Sequence, residues 1–228
     1  GARVDGGYSD HVLVPHGRFL IPYGDVPTAL ACVYACSGIT AYSAIRKVGP
    51  LGTKYHLLII GAGGVGLNAV HIARAMSDAQ IIVADIDPDK RAAAKAAGAA
   101  MVVDNADGKA LEEVRELSSG GVVGSLDFVG MPASTRFGID SLRKGGTHVI
   151  VGLYGDKLAL ALPMFPMTAI SVRGSYVGRL DEMRELMDLV IAGKVPPLPV
   201  HTRPLDEANQ ALDDLQAGKV VGRYVLEP

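Results

Sequence analysis

The chain has 228 residues, 49% of them hydrophobic, enough for one large core or a domain and part of another. Its 22 basic and 24 acidic side chains leave a net charge of −2, and no basic patch is interleaved with aromatics, so nothing favours a nucleic-acid partner. Only two cysteines occur, Cys32 and Cys36, which excludes a disulfide framework and points to a reducing, cytoplasmic setting.

The opening, Gly1 to Tyr8, has no charged segment followed by an apolar core, so it does not read as a signal peptide. No apolar run is read as reaching the about 20 residues that cross a bilayer, and no membrane partner is expected. Tyr8, His11 and Leu13 read as an extended strand closed by Pro15, with a helix starting near Pro27. The chain lacks an opening methionine and starts within that strand, so further sequence upstream is expected.

From Leu57 the pattern alternates strand and helix. Strands are predicted at 57–60, 81–84, 101–103, 126–129, 147–151 and 171–177. Helices are predicted from Val65 to Met76, from Pro88 to a stop at Gly98, from Lys109 to Leu117 and from Pro132 to Leu142. Asp87 suits an N-cap and Pro88 the first helical position. This alternation implies a parallel, doubly wound α/β sheet of six strands in the order 3-2-1-4-5-6. Residues 196–204 read as a proline-rich extended connection, followed by a helix from Leu205 to Ala217 and a last strand from Val220 to Leu226. The predicted division is residues 1–36 as part of one domain, 37–177 as a nucleotide-binding domain, and 178–228 as a segment returning to the first.

Gly61-Ala62-Gly63-Gly64-Val65-Gly66 follows the first strand directly, and Asp85 ends the second strand nineteen residues after Gly66. Each part has its own task in holding a dinucleotide. Gly61 permits the tight turn, Gly63 lets the backbone approach a pyrophosphate, and Gly66 lets the helix lie close to the sheet. The free N–H groups at the helix start, those of Gly64 and Val65 among them, favour phosphate. Asp85 is placed to accept from the adenosine ribose hydroxyls. The strand ends at Val129-Gly130 and Val151-Gly152-Leu153 complete the crevice.

Gly6-Gly7-Tyr8-Ser9-Asp10-His11-Val12-Leu13-Val14-Pro15, Ala35-Cys36-Ser37-Gly38-Ile39-Thr40-Ala41-Tyr42, the glycine loop and Gly218-Lys219-Val220-Val221-Gly222-Arg223 come in this order. Together they resemble the medium-chain dehydrogenase/reductase superfamily and, within it, the zinc-dependent alcohol dehydrogenases. The resemblance implies NAD and zinc as cofactors and Cys36 as one metal ligand. It also implies that the other two ligands and most of the catalytic domain lie upstream, so that this chain is the C-terminal part of a longer enzyme, incomplete and inactive by itself. Cys32, one helical turn before Cys36, has no ligand counterpart and is expected in the core. Thr40 resembles the threonine beside the nicotinamide ring. Val151, Leu153 and the Ser175-Tyr176 stretch resemble segments whose backbone holds the carboxamide. Lys90 resembles a lysine on the adenosine ribose, and Arg223 an arginine on the pyrophosphate. From the residues alone, Cys36 also suits a small buried apolar side chain, Thr40 a plain helical residue and Arg223 an exposed strand arginine.

A carboxylate at Asp85 favours NAD over NADP, with the adjacent Arg91 able to soften that preference. His71 reads as a surface or partly packed residue, and none of the six histidines shows metal-ligand spacing. The implied activity is reversible oxidation of an alcohol to an aldehyde or ketone, with a small-molecule substrate. The alternatives are a zinc-independent quinone or enoyl reductase and a nucleotide-binding module without catalysis. A homo-oligomer, dimer or tetramer, is implied, with Leu158 to Leu162 as a candidate interface or else as core packing.

Overall fold

Leu57-Leu58-Ile59-Ile60 and Ile81-Ile82-Val83-Ala84 are apolar on both faces. Strands of this kind are stable only with helices covering each side of the sheet. In the computed structural model, which describes residues 6–228, they form the centre of a six-stranded parallel sheet. Expectations that touch residues 1–5 lie outside the described residues.

The sheet contains β1 (His56–Ile60), β2 (Gln80–Ala84), β3 (Met101–Val103), β4 (Val122–Asp127), β5 (Leu142–Ile150) and β6 (Ser171–Gly174), in the order β3-β2-β1-β4-β5-β6. This is the expected doubly wound topology. The crossovers are α3 (Gly64–Met76), α4 (Pro88–Ala96), α5 (Ala110–Leu117), α6 (Pro132–Asp140) and the short α7 (Met164–Thr168). Register places Ala84, Ile60, Asp127, Ile150 and Gly174 in one row. The residues that follow them emerge together along one edge. The strand order reverses between β1 and β4, which opens a crevice there.

Several boundaries differ from the sequence expectation. The fourth strand begins at Val122, directly after a turn with positive φ at Ser119, Gly120 and Gly121. It ends at Asp127 because that carboxylate takes the N–H groups of Val129 and Gly130. The fifth strand starts at Leu142, with an irregular register opposite Val122 and Gly124, so the helix before it stops at Asp140. The sixth ends at Gly174, short of Val177, whose φ is 49°. Tyr8 to Leu13 form no strand: among the described residues they pair in no ladder.

α1 (Thr28–Val33), a π-helical turn (Tyr34–Gly38) and α2 (Ile39–Val48) run on as one rod. By length and composition one helix could cross a membrane, against the expectation that no apolar stretch reaches that length: Thr28–Val48 has 21 residues, and its most apolar window has a mean hydropathy of 1.4. Its most apolar window is 61% buried within the fold, packed against α3 and against α8 (Leu180–Ile191). The sequence reading placed no element over 180–191. Leu186, Met187 and Val190 of α8 join the core, and Glu182 caps the helix by accepting the Arg179 N–H at 2.9 Å. The proline-rich connection ends in β7 (Val200–Pro204), paired in parallel with β8 (Arg223–Glu227). β8 starts three residues later than expected because Gly222, with φ of 88°, turns the chain against the Pro199 carbonyl. The last helix, α9 (Ala208–Gln216), follows a 3-10 turn over Leu205–Glu207. α1 touches both β7 and β8, so the two flanks of the chain meet.

Two further expectations are corrected. Cys32 is exposed rather than in the core, because it faces an open groove between the 19–23 segment and the start of α8. His71 is buried, since α3 lies between the sheet and the 195–198 segment, and burial lowers its pKa.

His148 of β5 is fully buried. Ser125 donates to the Gly138 carbonyl at 2.8 Å, so the 2.7 Å contact between Ser125 Oγ and His148 Nδ1 is donated by the ring. Nε2 is then a bare acceptor with no partner among the described residues. Burial pushes this pKa down to about 4, the charge of Asp127 acting weakly the other way. Unfolded, the ring titrates near 6.5 and binds protons the fold refuses. Stability is therefore complete above about pH 6.5 and falls by about 3 kcal/mol as pH drops towards 4. Denaturant titrations at pH 7 and 5 should show a smaller acid loss in His148→Gln than in the native chain. Leu186→Ala should cost about 3 kcal/mol in the same assay, because the side chain is fully buried between α8 and α2.

Candidate functional site

The crevice at the sheet edge is made of two adjoining cavities. The first, of about 570 Å³, is lined by Gly61, Gly63, Gly64, Val65, Gly66, Asp85, Lys90, Val129 and Arg223. The second, of about 450 Å³, is lined by Cys36, Thr40, Val151, Gly152, Leu153 and the 175–177 turn. Val65, Phe128 and Tyr154 belong to both, so the two form one continuous channel. The fold thus brings together every site residue expected from the sequence.

The glycine loop is shaped by two constraints. Gly61 has φ of 88°, which only glycine adopts without strain, and a Cβ there would press on the Val129 side chain. Gly66 lies so close to the Gly61 carbonyl that a Cβ would overlap it. Gly63 has nothing within 4 Å of its Cβ direction, which leaves open space for a ligand.

Asp85 is buried at the end of β2. One carboxylate oxygen accepts the Ala62 N–H at 2.6 Å, and the other accepts the Asp87 N–H at 2.9 Å. It therefore ties the glycine loop to the next turn, and each oxygen keeps a lone pair for a hydroxyl donor. Asp87 caps α4 as expected, accepting from Asp89 and Lys90. Lys90 lies 3.7 Å from the Asp87 carboxylate and faces the first cavity. Arg91 donates to the Asp85 carbonyl at 2.7 Å and pairs with Asp104 at 3.0 Å, which engages two of its five donors.

Arg223 enters from β8 and covers the glycine loop, where a Cβ on Gly64 would collide with its Nε and Cδ. That Nε is buried and has no partner among the described residues. Burial lowers the guanidinium pKa, with the Cys36 charge acting the other way. A half-buried cation whose shielded Nε has an unmet donor, at a helix start, is suited to an anion.

Asp127 was not singled out from the sequence. It is fully buried and accepts from Val129 N–H, Gly130 N–H, Ser134 and Thr135 at 2.8–3.0 Å. It holds the wall of the crevice opposite the glycine loop; an acid ending a buried strand was its only signal. Asn68 was missed as well. It lies on α3 and donates to Ser37 at 2.6 Å, linking the dinucleotide helix to the turn that carries Cys36.

Cys36 is exposed on the π-helical turn, and Thr40 stands one helical turn later on the same channel. Among the described residues no group of three or more His, Cys, Asp or Glu could hold a metal ion. One thiol does not meet the three protein ligands of a catalytic zinc, so these residues alone do not fit that ion.

A family model described as zinc-binding dehydrogenase matches residues 64–192. The chain belongs to this family. As a zinc-binding dehydrogenase it is 36% identical over its whole length to an NAD-dependent alcohol dehydrogenase of Sulfurisphaera tokodaii, and 37% identical to one of Saccharolobus solfataricus. It spans 66% of the length of each. Among solved structures it is similar to the alcohol dehydrogenase of Aeropyrum pernix, with a TM-score of 0.81 and 36% identity, over 87% of this chain and 58% of that one. It also resembles acetophenone reductase of Geotrichum candidum, solved in complex with NAD, with a TM-score of 0.78 and 28% identity, over 91% and 58% of the two chains.

Arg223→Met should weaken NADH binding about tenfold or more while keeping the fold, since a hydrogen-bonded charge is lost from an anion site. Fluorescence titration of the purified chain, with circular dichroism as the folding control, measures it.

Proposed function

We propose that the channel binds NAD and serves the reversible oxidation of an alcohol to an aldehyde or ketone. The observation that carries this reading is the unpartnered, buried Nε of Arg223 over the glycine loop, in a channel that runs from Asp85 to Cys36 and Thr40. The pyrophosphate lies between that guanidinium and the start of α3. Asp85 and Lys90 take the adenosine ribose. The carboxylate of Asp85 repels a 2′-phosphate, which favours NAD over NADP.

The nicotinamide end occupies the second cavity, where a bound NAD supplies the hydride acceptor. Thr40 and the backbone of Val151 and Leu153 orient the ring, and Val65 and Phe128 exclude water from its face. Cys36 is proposed as this chain's one contribution to a zinc site. The alternative of a zinc-independent reductase that uses NADPH is disfavoured by Asp85 and Cys36. The alternative of a dinucleotide-binding module without turnover of its own is favoured by one observation, the single thiol at the cavity.

A homo-oligomer is proposed through the segment from Leu158 to Leu162. Leu162 is 79% exposed, which speaks against core packing there, whereas Leu158 and Leu160 are half-buried.

The test is titration of NADH and NADPH, zinc analysis, and alcohol-dependent reduction of NAD. Tight NADH binding with turnover supports the dehydrogenase; NADH binding with neither zinc nor turnover supports the module. Asp85→Ser should raise the KM for NAD about tenfold and improve use of NADP, because a ribose hydrogen bond to a charged acceptor is lost and a repulsion removed. Unchanged kinetics with both cofactors would refute the assignment of Asp85.

A further inference from the structure

The end of α2 is joined to β6 and to the turn after it by two long-range hydrogen bonds. Arg173 donates to the Lys47 carbonyl at 3.1 Å, and Lys47 Nζ donates to the Ser175 hydroxyl at 3.0 Å. The same ammonium donates to Ser43 at 2.9 Å. Ser43 and Ser175 are buried and Lys47 is half-buried. A lysine head group is strongly hydrated and its stem is flexible. Here it gives up solvent for two interior hydroxyls and thereby fixes the distance between two elements.

The turn it reaches is strained. Val177 has φ of 49°, a conformation that a β-branched residue avoids. Such a conformation persists only where the surroundings over-determine it. Downstream, Glu182 holds the Arg179 N–H and Gly178 packs on Ile39. Upstream, the Ser175 N–H bonds the Ile150 carbonyl at 2.9 Å, and Lys47 holds the Ser175 side chain. Ser175, Tyr176 and Val177 form one wall of the cavity that contains Cys36 and Thr40, whereas Lys47 does not line it.

We propose that Lys47 is a positioning residue for the nicotinamide end of the channel: by holding Ser175 it keeps the strained 175–177 turn in the shape that receives the ring. This rests on the dinucleotide reading above. Lys47 touches no part of the ligand and acts through Ser175.

NADH and ADP-ribose differ by the nicotinamide ring, so their affinities separate this role from general destabilisation. In Lys47→Met, the Kd of NADH should rise about tenfold and that of ADP-ribose change by less than about twofold, because a charge-assisted hydrogen bond is lost on the ring side alone. Ser175→Ala should show the same selective loss, and the double variant no more than the larger single one, as expected for two ends of one bond. Adding Val177→Gly to Lys47→Met should recover most of the loss, since glycine adopts this φ without strain. Equal loss for both ligands, or no loss for either, overturns the positioning role while leaving the dinucleotide reading intact. A native chain that binds neither NADH nor ADP-ribose overturns the dinucleotide reading and this role with it.

Discussion

Gly66 lies against the Gly61 carbonyl with no room for a Cβ between them. This contact fixes how closely α3 approaches the end of β1, and much of the crevice depends on it. With α3 seated there, its first N–H groups face the gap where the strand order reverses. Asp85 then closes the loop from the neighbouring strand by accepting the Ala62 N–H. Asp127 does the corresponding work on the far side, collecting the backbone and hydroxyl donors of the 129–135 turn. Two buried carboxylates, each at the end of a strand, thus hold the two lips of one channel.

Charge in the channel is arranged along its length. Arg223, delivered by β8, places a half-buried cation with a shielded Nε above the glycine loop. Such a cation is costly unless an anion meets it. One end carries Asp85 with Lys90 beside it, and the opposite end carries a thiol, a hydroxyl and apolar walls. That gradient from anion-binding to apolar surface matches a ligand with a phosphate middle and a flat ring at one end. It is the physical reason why the dinucleotide reading is preferred to a generic phosphate site.

Much of this was legible in the sequence. The apolar runs at 57–60 and 81–84 have no polar alternation, so they had to be central strands. Gly61 through Gly66 and Asp85 fall at spacings that only a strand–turn–helix–strand unit satisfies together. Pro88 behind Asp87 marked a helix start. These signals are local, with their causes within a few residues. The segment Tyr8 to Leu13 shows the converse: an extended pattern without a partner strand does not make a strand. Asp127 moved a strand boundary through a local turn, bonding the N–H groups two and three residues on, whereas Gly222 moved one through a contact with Pro199 that no local pattern reveals.

The sequence by itself determined the doubly wound sheet, the glycine loop, the acid that follows it and residues that line the channel, because periodicity and turn chemistry act at short range. Only the tertiary structure decided that Arg223 arrives unpartnered over that loop, that Cys36 is exposed on a π-helical turn, and that His71 and His148 are buried. It alone placed Asn68 against Ser37 and Lys47 against Ser175, residues 31 and 128 positions apart. Those outcomes depend on which surfaces the packed helices cover and on which donors meet across the sheet. No spacing along the chain encodes that.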